Sequence, residues 1–181
     1  MDEARIPPAP RPYAPELEET LARLMGPGVE PLRLFRTLAQ NPRVLARFLA
    51  GGLLDKGSIS LRERELAILR TTARCGSEYE WGVHVSFFHA RAGLSAEEVR
   101  ATCALDGSHP WSGRDQALLD LCDALHERCD VDDATWRRLA AEFAPAQIVE
   151  LVVLAGFYHT VSYLTNALRI ELEPGAARFP A

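Results

Sequence analysis

SLRERELAILRTTARC, from Ser60 to Cys75, is the stretch on which the fold turns. Ser60 and Glu63 form a capping box, the serine oxygen and the glutamate each satisfying an orphan amide at a helix start. At about 100° per residue Leu61, Ile68, Leu69 and Thr72 share one arc, with Leu66 and Ala73 at its edge, so the spacing predicts a helix to about Cys75. The same signals recur outward. Ser77 and Glu80 offer a second box, opening a helix that ends near Gly93, where glycine supplies a left-handed cap. Ser95 and Glu98 make a third. Ser112 precedes a helix over 114–128, Asp132 or Asp133 caps another to Phe143, and Pro145 begins a long apolar one. Upstream, a helix over 16–25 stops at Gly26-Pro27-Gly28, a second spans 32–39, and Asn41-Pro42 starts a third that runs toward Leu54. No run alternates with the period of a strand, so the fold class is all-α.

The 181 residues suit a single domain with its own core, at 48% hydrophobic and 25% charged residues. Five prolines in residues 1–15 mark an extended arm, destined for disorder or for packing across a neighbouring subunit. The helical domain takes 16–173 and a short tail 174–181. A net charge of −5 argues against a nucleic-acid partner, which demands a concentrated basic face. Cys75, Cys103, Cys122 and Cys129 show no CxxC spacing and read as reduced thiols of a cytoplasmic protein. No signal peptide is expected. The apolar run 148–168 carries Glu150, His159 and Asn166, the pattern of a buried core helix, so no membrane partner is expected.

Glu65 lies near the middle of the apolar arc of its helix, where a carboxylate is costly unless paired or protonated. Two readings stay open: a structural pair with Arg62, or a carboxyl of raised pKa poised for proton transfer. Ser77, Glu80 and His84 line one stripe of the next helix. Glu80 can hydrogen-bond an imidazole nitrogen of His84 and raise its pKa, and such a pair in a dry pocket is a competent acid/base unit. Ser77 and Glu80 also read as plain caps, and Trp81 as core. Cys75 reads as a buried inert thiol. His126, beside Asp123, and His159, beside Tyr158, are weaker candidates. Glu80 and His84 lack the repeated motif of a di-metal bundle, so no metal is expected there.

The run 62–70, the segment Cys75-Gly76-Ser77-Glu78-Tyr79-Glu80-Trp81-Gly82-Val83-His84 and the turn Ala92-Gly93-Leu94-Ser95 together resemble the core of the carboxymuconolactone decarboxylase family. That superfamily also holds the alkylhydroperoxidase D-type disulfide reductases. Their motif places a glutamate, eleven residues, Cys-x-x-Cys, three residues and a histidine in order. Here the glutamate falls on Glu65 and the histidine on His84, while Ser77 and Glu80 occupy the cysteine positions. Thiol attack and resolution need two sulfurs, so the substitution removes disulfide chemistry and leaves an acid/base site.

The resemblance implies an alkylhydroperoxidase D-like multi-helix fold, trimers or hexamers, and a cofactor-free enzyme moving protons on a small lactone, carbonyl or carboxylate compound. His84 would be the principal acid/base, Glu80 its orienting partner or second proton carrier, and Glu65 the carboxylate that tunes them. Ser77, Glu78, Tyr79, Trp81, Cys75, Tyr158 and His159 are the pocket candidates. Arg62 or Arg74 could meet a substrate carboxylate. Two alternatives stand beside this reading: a peroxidase using Cys75 alone, and a helical binding or assembly module without chemistry.

Overall fold

A computed structural model describes residues 4–26, 28–104, 107 and 109–180; Pro27 of the expected helix stop and the extreme ends of the arm and tail lie outside them. The described residues form nine helices and no strand: α1 Pro15–Met25, α2 Arg33–Leu38, α3 Pro42–Ala50, α4 Leu61–Arg74, α5 Glu78–Phe88, α6 Ala96–Ala101, α7 Gly113–Arg128, α8 Asp133–Glu142 and α9 Pro145–Ala167. The capping boxes at Ser60/Glu63 and Ser95/Glu98 are both formed, and Asp132 caps α8. The second expected box, at Ser77 and Glu80, is not formed. Ser77 makes no cap; its hydroxyl shares a 2.7 Å hydrogen bond with that of Thr165 on α9. α5 stops at Phe88, well before Gly93, and α3 at Ala50 rather than near Leu54. Gly93 still takes a left-handed φ of 68°, closing the turn that leads into α6.

α4 is the axis of the core. It packs on α5, α7 and α9, and Leu66, Ala67 and Ile68 are wholly buried. Burial on nearly every side takes in charged residues too, and each finds an opposite charge on a neighbouring helix. Arg62 pairs with Asp115 at 3.0 Å, Arg70 with Asp123 at 2.6 Å and Arg74 with Glu127 at 2.6 Å. The offset between partners is 53 residues each time, so α4 and α7 run parallel in fixed register. The two helices therefore bring their C-terminal ends to the same place.

α9 is the one described helix long and apolar enough to cross a membrane, yet one face of it is core: Leu151, Leu154, Tyr158 and Val161 are buried against α4 and its neighbours. The described part of the proline-rich arm is ordered. It lies along its own chain, with the Arg5 amide donating to the Leu168 carbonyl and the Ala9 amide to that of Arg36, both at 3.0 Å. Pro15, expected in the arm, is the first residue of α1. The tail crosses α5 where Gly82 gives it room; a Cβ there would meet the Ala177 carbonyl oxygen at 2.2 Å.

Candidate active site

Cys75-Gly76-Ser77 folds α4 back into α5, with Gly76 at a φ of 64°, and this hairpin sets Glu65 opposite His84. The His84 ring is 3% exposed. Its Nδ1 lies 2.7 Å from Oε2 of Glu65, and its Nε2 lies 3.0 Å from the Tyr158 hydroxyl and 3.4 Å from Oε1 of Glu80. The far oxygen of Glu65 is held by Arg64 at 2.9 Å. The expected pairing is thus rearranged. Arg62 turns away to Asp115 and Glu98, and Glu65 rather than Glu80 fixes the tautomer of His84.

Burial alone would strip His84 of its proton, but hydrogen bonds to Glu65 and Glu80 outweigh it and raise the pKa to about 9. The ring is an imidazolium at neutral pH. With Nδ1–H committed to Glu65, the single Nε2–H has two acceptors, Tyr158 and Glu80. Burial holds the Tyr158 hydroxyl well above its ordinary pKa, with Glu80 and Glu65 adding to the shift, so that group remains a neutral donor and acceptor. The four side chains form a chain along which a proton can move between a buried carboxylate, an imidazole and a second carboxylate.

That chain ends on a cavity of about 680 Å³. Glu80, His84 and Tyr158 are polar points on its wall, with Asp55 the remaining acid. The rest is apolar, dominated by aromatic rings: Phe35 of α2, Phe48 of α3, Phe87 and Phe88 of α5 and Phe157 of α9. The His84 ring stands edge-on to Tyr158, centroids 5.1 Å apart, and 5.2 Å from Phe88. Leu24, Leu54 and Phe87 are exposed apolar side chains on the same wall, so the cavity has an apolar approach.

Of the residues offered as pocket wall, Tyr158 lines the cavity; the others point elsewhere. Ser77 bonds Thr165, and Glu78 accepts from the Phe179 amide at 3.0 Å in the tail. Tyr79 donates to Glu173 at 2.6 Å and accepts from the Leu34 amide, its pKa driven far up by burial and then by Glu173. The Trp81 indole donates to Thr102 at 3.0 Å. Cys75 and His159 lie beside His126, on another side of α9 from Tyr158. Burial raises the Cys75 thiol pKa and lowers that of His159, where His126 adds to the fall. Arg74 pairs with Glu127 and Arg62 with Asp115, so neither faces the cavity. Phe35, Phe48 and Asp55 carried no local mark as wall residues, since only tertiary packing brings them to the cavity of His84.

The chain's architecture matches several solved structures. One is a peroxidase-related protein from Silicibacter sp. TM1040, with a TM-score of 0.82, 16% identity and 97% coverage of both chains. Another is an alkylhydroperoxidase core protein from Ralstonia eutropha JMP134, with a TM-score of 0.73, 14% identity and coverage of 96% and 94%. A third is a debrominase bound to 2,3,4-tribromopyrrole, with a TM-score of 0.74, 16% identity and coverage of 94% and 92%. At these identities the likeness shows the fold. No curated protein matches the sequence. The sequence profile of the carboxymuconolactone decarboxylase family matches residues 40–124, the span that carries Glu65, Glu80 and His84. By that match the segment 40–124 is similar to the carboxymuconolactone decarboxylase family, and the chain as a whole has the helical fold of alkylhydroperoxidase-like proteins.

Proposed function

We propose that the protein is a cofactor-independent acid/base enzyme acting on a small, largely apolar carbonyl, lactone or carboxylate compound. The observation that carries this reading is the meeting of Glu80, His84 and Tyr158 on the wall of an aromatic-lined cavity. Glu80 takes a proton from the carbon beside a carbonyl, and His84 delivers its Nε2 proton to the resulting enolate. Glu65, anchored by Arg64, holds the imidazole through Nδ1 and stabilises its charge. Tyr158 can donate to the substrate oxygen while His84 changes state. Decarboxylation and isomerisation both use this exchange, and loss of carbon dioxide leaves the same enolate for His84 to protonate.

The apolar wall supports an unsaturated or aromatic substrate. The debrominase in complex with a brominated pyrrole shows that a protein of this architecture accommodates a small ring. The peroxidase reading needs a thiol at the cavity, and Cys75 does not line it. The protein is proposed to act in the cytoplasm, as its free cysteines suit, and to form a homo-oligomer, as the family resemblance implies.

A screen of small lactones, β-keto acids and enones against wild type and His84→Ala tests the assignment. Turnover should be lost in the variant by about 10²–10⁴-fold with helical content unchanged. Equal turnover by both proteins would overturn it. Peroxide-dependent turnover abolished by alkylating Cys75 would favour the thiol reading instead.

A further inference from the structure

On another face of α9 from the cavity, the C-terminal ends of α4 and α7 meet a second group of chemically able side chains. Cys75 is the C-cap residue of α4, His126 lies in the last turn of α7, and His159 sits one residue beyond Tyr158 on α9. The Cys75 Sγ lies 3.7 Å from Nδ1 of His126, and the ligand atoms of all three residues lie within 4.8 Å of one another. The two imidazoles lie with centroids 5.3 Å apart and planes tilted by 44°. We propose that Cys75, His126 and His159 form a binding site for a borderline-soft divalent cation of the zinc class.

The geometry fits. With metal–sulfur and metal–nitrogen bonds of about 2.3 and 2.0–2.1 Å, a tetrahedral centre separates sulfur from nitrogen by about 3.6 Å. The Cys75–His126 separation is already at that value, and rotation of the His159 ring closes the third edge. The donor set, one thiolate and two neutral imidazoles, suits zinc and not a hard cation such as magnesium or calcium. The neighbouring acids are committed elsewhere: Asp123 to Arg70 and Glu127 to Arg74. Neither therefore competes for the imidazoles. The ligand backbone is anchored, since the Asn166 side chain donates to the Cys75 carbonyl at 2.9 Å. All three residues are half-buried, so a metal can enter and a fourth position stays open to water.

A bound ion would tie the parallel α4/α7 pair to α9. It would also fix the rotation of α9 one residue from Tyr158, which faces His84. The site stands independently of the acid/base reading, because its ligands are not those of the cavity.

The test is titration of chelator-treated, reduced protein with Co²⁺ and then Zn²⁺. One equivalent of Co²⁺ should give a thiolate-to-metal charge-transfer band together with tetrahedral d–d bands. Zn²⁺ should displace it, raise the melting temperature and protect Cys75 from alkylation. Cys75→Ser should abolish the charge-transfer band. His126→Gln and His159→Gln should each weaken binding at least about tenfold, while Cys129→Ser leaves it unchanged. Circular dichroism checks that each variant folds, and the wild-type titration and alkylation protection stand without any variant. No band with millimolar Co²⁺, or a band that survives in Cys75→Ser, would overturn the proposal.

Discussion

At the scale of single residues, the charge on His84 links the site to stability. A histidine whose pKa rises from about 6.5 to about 9 on folding binds its proton more tightly in the native state. Its contribution is fully present below pH 6.5 and is lost as pH climbs through 9. The shift corresponds to about 3 kcal/mol. Urea unfolding of wild type should therefore show stability falling between pH 6.5 and 9, and His84→Gln should flatten that slope. An identical slope in the variant would place the proton elsewhere. Glu65→Gln keeps an acceptor for Nδ1–H but removes a charge, so the His84 pKa should fall and the alkaline limb of the activity profile should move to lower pH. The three residues were legible in the sequence, as was the contact of Glu80 with His84, but the partner of Glu65 was not. Helical spacing reports neighbours within one helix, so it joined Glu80 to His84 and Glu65 to Arg62. The hairpin at Gly76 instead brings Glu65 to His84 from the adjoining helix, and only its packing decides which oxygen lies nearer.

At the scale of elements, the charges of α4 set its place in the fold. Arg62, Glu63, Arg70 and Arg74 are the rungs that register α4 against α7 and its start. Arg70 is 6% exposed and, besides Asp123, donates to the carbonyls of Thr102 and Ala104. Removing it leaves two carbonyls and a carboxylate short of a donor. Arg70→Met should cost about 3 kcal/mol in denaturant unfolding, with the slope against denaturant unchanged. A loss below about 1 kcal/mol would mean that water replaces the guanidinium. The starts of α4, α6 and α8 were legible because a cap is a local chemical fact. The end of α5 was not, because residues 89–93 leave the helix as turns under Leu94, which is itself buried. Gly82 is the element's tertiary contact point. Gly82→Val should drive the tail from α5 and speed tryptic cleavage after the already exposed Arg178 by freeing the backbone around it, while the α4/α7/α9 core keeps its melting temperature within a few degrees.

For the molecule as a whole, α9 divides three surfaces among its faces. Tyr158 faces the cavity, His159 faces Cys75 and His126, and the outer face carries Val149, Val153, Gly156, Thr160 and Tyr163. All-α class and a buried α9 could be read from composition and period, but the division among faces needs the packing of α4 and α7 on one side only. The outer residues recur at intervals of four and three, the spacing of a helix seam. None is charged, and Val149, Val153 and Tyr163 are 63%, 51% and 65% exposed. Gly156 adds open space, with nothing within 4 Å of a Cβ built there. An uncharged, heptad-spaced stripe is suited to a second copy of the same helix, and we propose it as the contact of the proposed homo-oligomer. Val153→Glu places a carboxylate at the middle of that seam, where pairing two copies would bury two like charges. Light scattering should then report a lower mass for the variant than for wild type at equal concentration, with the monomer's helical content retained. Because the seam lies away from the cavity, His84 should keep its raised pKa in the dissociated protein. Equal masses for both proteins would move the subunit contact off α9.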